Sequence, residues 1–530
     1  MKTNQKTLPN TFQSFENLTE GLIPEKLADF KQSIQDVMRS HELIYEQKRD
    51  SLAGIAMDTM AYPVISAEAR EMIEKGIICL LNEGAAPYHP RYVAPLYDKL
   101  LTNGSRFMEL KPAVDLYDAT ASLITAYKYI PCGGLPVFIG RIDELLEPYY
   151  HTVSPLEAYK ILRSFWLLVD RLNPSAFVHA NIGPQKTHIG ELLLDVDRQL
   201  KTLTNLTLRY DPQVTPHDFA LKAVENALEL TKPYFLDHRC LVQDWGEDYV
   251  IASCYNSMRL GGGIYTLVRV NLKEMVKLAE PSIEDLLERV VPMVAGRQME
   301  VIQSRVRAIV EDTGWFEENY WVDEGLILKD RFTAYAAVYG LAEGVNEMMA
   351  RMGRPQARYG HDAQANQLGS DLVAAMHAAL KKVSVSYCEG WQGTACFHAQ
   401  VGINSDVGVT PGVRIPSGEE PNLYTHLQIE GSTQRWIEGG ASTILEFDQT
   451  AAGNPEAVLD IIQGAFKMGV RNLSIGSANS EFVRVTGYLI RRSDLEKATA
   501  HKALRHSSSI LGSGFLQTKQ NHLHRVTRKV

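Results

Sequence analysis

The sequence predicts an α/β protein, and three observations predict it. Helical stretches open on recognisable caps, as at Ser154-Pro155-Leu156-Glu157 and Asn454-Pro455. Short apolar strands stand between them, for example residues 205–210 (N-L-T-L-R-Y). Near the C-terminal end, residues 442–447, 455–468 and 470–475 read strand, helix, strand, one βαβ unit.

Composition bounds the class. The chain has 530 residues, 45% hydrophobic and 22% charged, enough to bury a large core. That length allows two to four domains or one large barrel. A net charge of −9 excludes a protein built as a whole to hold nucleic acid. The six cysteines are scattered and none forms a C-x-x-C pair, which speaks against a disulfide framework and a structural zinc. The N-terminus has no apolar leader segment and no long uncharged apolar run follows, so the expected location is the reduced cytoplasm, away from membranes.

In chain order, residues 12–49, 67–81 and 93–101 have helical spacing, giving an α-rich N-terminal region with no linker behind it. Residues 133–150 (G-G-L-P-V-F-I-G-R-I-D-E-L-L-E-P-Y-Y) read as a glycine-proline turn into an amphipathic helix. The capping box at Ser154 starts a helix to about Arg171, and Thr215-Pro216-His217-Asp218 caps another to about Thr231.

Residues 247–272 carry the first chemical signal. Tyr249–Ala252 is short and apolar, and the pattern breaks at Ser253-Cys254-Tyr255-Asn256-Ser257, a strand running into a tight loop that displays a thiol. An inert buried cysteine is the structural alternative. The Gly261-Gly262-Gly263 run lacks both G-K-[ST] and G-x-G-x-x-G spacing, so it reads as a turn before a strand over 264–272 and not as a phosphate loop.

Residues 281–310, capped by Ser282, and residues 331–352 and 366–382 read as helices. Within 386–402, Cys388 beside Glu389 is the rival reactive thiol, although an adjacent anion disfavours a thiolate. Cys396 and His398 make an incomplete metal pair. Residues 409–421 form a proline-glycine loop on which Arg414 is a candidate contact for an anionic substrate, with a solvated arginine as the alternative.

The second chemical signal is Gly487, inside E-F-V-R-V-T-G-Y-L-I-R-R (residues 481–492). Glycine weakens an apolar strand, and a bulge or close backbone approach is the bland account. Chemistry gives a sharper one: a radical on an α-carbon is delocalised by the flanking amides, and only glycine keeps that carbon free of a side chain. A thiol can hand its hydrogen atom to such a carbon and, as a thiyl, take one from a substrate. Ser493-Asp494-Leu495-Glu496 then reads as a capping box opening a short helix. The tail from His501 is basic and carries no Asp or Glu, so it is expected to be solvated. Docking to a partner and a His522/His524 metal site are the lesser readings.

R-V-T-G-Y-L-I resembles the R-V-x-G-Y fingerprint of glycyl radical enzymes, and the chain is most similar to their YjjI branch. G-R-I-D-E-L-L-E-P-Y-Y resembles a second family segment, and the loop holding Arg414 is similar to a third, without its aspartate. D-Y-V-I-A-S-C-Y-N-S-M resembles the cysteine loop of pyruvate formate-lyases. The resemblance implies a ten-stranded α/β barrel enclosed by helices, with the Cys254 and Gly487 loops meeting inside. It divides the chain into an N-terminal region (1–130), a barrel core (131–480) and a C-terminal radical loop, helix and basic tail (481–530). It implies a radical stored on Gly487, installed by an iron–sulfur, S-adenosylmethionine-dependent activase, and passed to Cys254, with no permanently bound cofactor or metal and a homodimer by analogy.

Two departures matter. Ser253 stands where formate-lyases carry a second, acyl-bearing cysteine, and Asn256 stands where dehydratases carry a glutamate base. The expected function is therefore oxygen-sensitive radical chemistry on a small molecule, with Ser253, Asn256, Arg414, Cys388 and Glu389 as candidate lining. The alternatives are an enzyme like anaerobic ribonucleotide reductase, for which the zinc quartet and nucleotide loop are missing, and a non-catalytic barrel serving as a scaffold or binding protein.

Overall fold

A computed structural model describes residues 24–57, 64–80, 89–130, 137–173, 178–252, 255–399, 408–484, 489–505 and 524–530. Its strands, in order, are β1 (Ile78–Leu80), β2 (Tyr92–Val93), β3 (Phe138–Arg141), β4 (His179–Ile182), β5 (Asn205–Tyr210) and β6 (Tyr234–Asp237). Then come β7 (Tyr249–Ala252), β8 (Asn256–Arg259), β9 (Gly263–Asn271), β10 (Phe332–Tyr339) and β11 (Cys396–His398). The last are β12 (Thr443–Phe447), β13 (Asn472–Ser477), β14 (Phe482–Arg484), β15 (Leu489–Arg491) and β16 (Thr527–Arg528).

Two sheets carry the architecture. In one, β9, β10 and β11 run parallel, and β1 and β2 pair antiparallel with β9. The other has the order β16-β12-β13-β6-β5-β4-β3, parallel throughout except where β13 meets β6. Helices Pro155–Leu172, His188–Leu200 and His217–Leu230 connect β3 through β6, the crossovers that parallel neighbours require. Strands β5 and β10 are buried along their whole length, as expected where both faces of a sheet are covered. Helix Val291–Arg307 covers the back of β9 and β10, and its buried Gln298 donates from Nε2 to Val268 O and Ala337 O, each at 2.9 Å.

Several predicted elements stand as expected. The capping box at Ser154 is complete and β5 spans 205–210. The βαβ unit is β12, helix Pro455–Lys467 capped by Asn454, and β13.

Others are corrected. The helix expected over 331–352 begins only at Leu341: Phe332–Tyr339 is the central strand β10, and Gly340 (φ 73°) makes the turn. Three alanines in F-T-A-Y-A-A-V-Y gave that stretch a helical look, but its residues are all buried in mid-sheet and tertiary pairing outweighs the weak local preference. The stretch 67–81 is helix only to Glu74, then β1, and 93–101 is strand, turn and helix from Tyr97. The N-terminal region thus supplies β1 and β2 to a sheet. Thr215 does not cap the next helix; its Oγ1 accepts from Asp211 N instead. Ser493 forms no capping box, because its hydroxyl and amide both donate to Glu481 Oε1. The end of the tail is not solvated coil: β16 extends the seven-stranded sheet beside β12. Among the described residues, no helix is long and apolar enough to cross a membrane.

Candidate active site

Two small hairpins stand apart from the sheets, and each carries one of the predicted loops. In β7–β8, Ala252 pairs with Asn256, with Ser253, Cys254 and Tyr255 between them in sequence. Ser253 and Cys254 lie outside the described residues. Asn256 and Ser257, expected in the loop, are instead the first residues of the returning strand. Asn256 is fully buried and its Nδ2 donates to Ala252 O at 3.0 Å, closing the mouth of the turn, while its Oδ1 has no partner among the described residues.

This hairpin is clamped from both sheets. From β4, Asn181 Nδ2 donates to Ile251 O at 2.8 Å and Asn181 Oδ1 accepts from Ile251 N at 2.9 Å. From β3, Arg141 donates to Tyr249 O and to Glu247 O, which gives the arginine of the G-R-I-D segment a structural task. From β10, Tyr335 Oη donates to Ser257 O at 2.5 Å. The chain at Gly439-Gly440 presses against the turn, accepting from Ser257 N at Gly439 O (3.1 Å). Gly440 (φ 119°) leaves no room: a Cβ there would lie 1.8 Å from Tyr255 O.

In β14–β15, Arg484 pairs with Leu489, with residues 485–488 between them in sequence. Gly487 is among them and lies outside the described residues. Thr231 Oγ1 donates to Phe482 O at 3.0 Å, and Phe482 and Leu489 pack with Leu203 and Leu230. Arg484, 2% exposed, donates from Nη2 to Thr231 O at 2.8 Å and from Nη1 to Asn205 Oδ1 at 3.3 Å.

The hairpins converge on one ring. Arg484 places its guanidinium carbon 5.2 Å from the Tyr234 ring centroid. Tyr255, the residue after Cys254, sets its ring edge-on to Tyr234 with centroids 4.7 Å apart, and its hydroxyl lies 3.0 Å from Ser474 Oγ. Tyr234 Oη is in turn 3.0 Å from His179 Nε2, which is 2.6 Å from Thr207 Oγ1. Burial, and then the charge of Arg484, hold the His179 imidazole well below its ordinary pKa, so it is neutral.

The remaining candidates stand elsewhere. Cys388 is buried beside Thr333 and Ala334 at the start of β10, and burial pushes its thiol up to about 12, far from a thiolate. Glu389 is exposed. Arg414 is not a solvated loop residue: it is buried and donates from Nε to Ser442 O (3.0 Å) and from Nη2 to Ser442 Oγ (3.2 Å), tying its loop to the head of β12. His398 Nδ1 lies 2.9 Å from Gly439 O, and its ring stacks on Tyr335 at 4.8 Å. His522 lies outside the described residues, and among those described no group of three His, Cys, Asp or Glu is placed to hold a metal.

Reasoning from sequence missed Asn181, His179, Tyr234 and Gly440. The first two sit in H-A-N-I, four fully buried residues of which two are polar. Polar side chains in such a strand must find partners, and that was the available signal. Tyr234 gives none, since a buried aromatic residue in a strand is ordinary.

Residues 43–528 match the family model described as "Glycyl radical enzyme YjjI-like". The chain is 41% identical over 475 residues to the YjjI protein of Escherichia coli (strain K12), covering 89% of this chain and 91% of that one. It is 33% identical over 498 residues to a protein of Haemophilus influenzae (strain ATCC 51907 / DSM 11121 / KW20 / Rd), covering 91% and 95%. Among solved structures, its fold is similar to that of an anaerobic ribonucleotide reductase (TM-score 0.64, 11% identity, 89% of this chain and 85% of that one). It is also similar to hydroxyproline dehydratase from Clostridioides difficile (TM-score 0.62, 13% identity, 94% and 88%). With a family model spanning most of its length and a relative this similar, the chain belongs to the YjjI-like family of glycyl radical enzymes.

Proposed function

We propose that this glycyl radical enzyme stores its radical on Gly487, relays it through Cys254, and acts on a small molecule held between the two sheets. The observation that carries the reading is the convergence on Tyr234: the neighbour of Cys254 and the arginine three residues before Gly487 touch the same buried ring. In the relay, the Cys254 S–H bond breaks and a C–H bond re-forms at Gly487, leaving a thiyl. The thiyl then takes a hydrogen atom from substrate and returns one at the end of turnover. The radical is installed by an iron–sulfur, S-adenosylmethionine-dependent activase. Burial of both hairpins supports this chemistry, because a radical must be kept from water and oxygen.

The residues around Cys254 narrow the reaction. Ser253 offers no second thiol to carry an acyl group. Asn256 cannot exchange a proton near neutral pH, and its amide already donates to Ala252 O. Neither an acyl-enzyme route nor base-assisted dehydration through this loop fits those side chains. The likeness to ribonucleotide reductases is one of fold and brings no nucleotide with it.

Anaerobic activation followed by electron paramagnetic resonance tests the reading. A glycine-centred doublet is expected, and air should then cut the chain at Gly487, giving a short C-terminal fragment by mass spectrometry. Gly487→Ala should abolish both. Cys254→Ser should keep the doublet and lose turnover, tested against an anaerobic metabolite extract; turnover by Cys254→Ser would sink the relay.

A further inference from the structure

Resting on the relay between Gly487 and Cys254, we propose that Tyr234 is the positioning residue that sets the distance over which the hydrogen atom passes. It opens β6, a strand bonded on one side to β5 and on the other to β13, so its backbone is fixed. Its side chain is fully buried and its hydroxyl lies 3.0 Å from neutral His179. Thus held at both ends, the ring meets the Cys254 hairpin through Tyr255 and the Gly487 hairpin through Arg484. Among the described residues, strands β7–β8 and β14–β15 pair in a ladder only within themselves. Each hairpin has its own clamps, from Asn181, Arg141 and Tyr335 on one side and from Thr231 and Asn205 on the other. The Tyr234 ring is a contact that both share, so it couples the position of one hairpin to that of the other. Hydrogen-atom transfer needs near-contact geometry, and a misplacement of about 1 Å costs on the order of a hundredfold. Tyr234 itself gives up no hydrogen in this scheme; it acts through its two neighbours.

Deuterium exchange reads this distance directly. In D2O the Cys254 thiol becomes S–D. Each transfer to the Gly487 radical makes a CHD carbon, and a return transfer that removes the hydrogen leaves a deuterated radical, so the doublet collapses. With the full-length protein activated anaerobically, wild type should show the collapse and Cys254→Ser should not; any other result overturns the relay reading itself. Given that control, Tyr234→Leu should keep radical yield within about twofold while slowing both collapse and turnover about tenfold or more. Tyr234→Phe, which keeps the ring, should stay within about threefold of wild type. Collapse at the wild-type rate in Tyr234→Leu, or a loss of radical yield that parallels the loss of exchange, overturns the positioning role. Where Tyr234→Leu does not fold, Tyr255→Leu removes the same ring contact from the other side. It must show the same split between yield and exchange, and a wild-type rate there overturns the proposal equally.

Discussion

Asn181 and Ile251 face each other like neighbouring strand residues, except that one partner is a side chain. The Asn181 amide donates to Ile251 O at 2.8 Å and accepts from Ile251 N at 2.9 Å, standing in for a backbone ladder on a side where β7 pairs with no strand among the described residues. The hairpin carrying Cys254 is thereby bonded to β4 although it belongs to neither sheet.

Replacing Asn181 by alanine strands a buried N–H and a buried C=O. Stability should fall by about 2–4 kcal/mol, read by denaturant unfolding of the unactivated protein. Turnover should fall further than radical yield, because the cysteine hairpin is loosened and the glycine hairpin is not.

Arg484 should tolerate no conservative replacement. Its planar fork reaches Thr231 O and Asn205 Oδ1 while lying over Tyr234, a geometry that a lysine ammonium does not reproduce. Arg484→Lys should lower stability by about 1–3 kcal/mol, measured by denaturant unfolding, and reduce radical yield by electron paramagnetic resonance.

His179 should make the protein acid-sensitive. Its folded-state pKa is depressed, so folding favours the neutral ring. The stability from this site is complete above the ordinary imidazole value of about 6.5 and is lost as pH falls toward the lower folded-state value. His179→Gln should therefore lose less thermal stability than wild type between about pH 7.5 and 5.5, measured by differential scanning fluorimetry.

The two candidate thiols should separate by reactivity. Cys388, buried and held up to about 12, should resist alkylation by iodoacetamide in the native protein at neutral pH and react only on unfolding. Cys388→Ser should leave turnover unchanged, whereas a loss comparable to that of Cys254→Ser would return Cys388 to the active site.

Removing residues 524–530 should cost stability and expose an edge. Thr527 and Arg528 pair with Glu446 and Phe447, Arg528 O accepts from Asp448 N at 2.9 Å, and Val526 N donates to Glu420 Oε2 at 3.2 Å. The truncated protein should be less stable by about 1–3 kcal/mol and self-associate through bare β12, seen by size-exclusion chromatography.

The sequence by itself determined the chemistry and the local elements. A glycine inside R-V-T-G-Y and a cysteine at the break of an apolar strand carry the proposed radical and relay, because those reactions depend on what the two residues are. The helix caps at Ser154 and Asn454, like strand 205–210, were legible for a related reason: each is fixed by side chains within a few positions. Tertiary structure alone decided what depends on partners far along the chain. Phe332–Tyr339 is a strand because β9 and β11 flank it, Thr527–Arg528 is a strand because β12 offers an open edge, and Arg414 is buried because Ser442 lies within reach. Tyr234 became a meeting point only when two hairpins from opposite halves of the sequence folded against it, and no local pattern encodes a contact that chain topology creates.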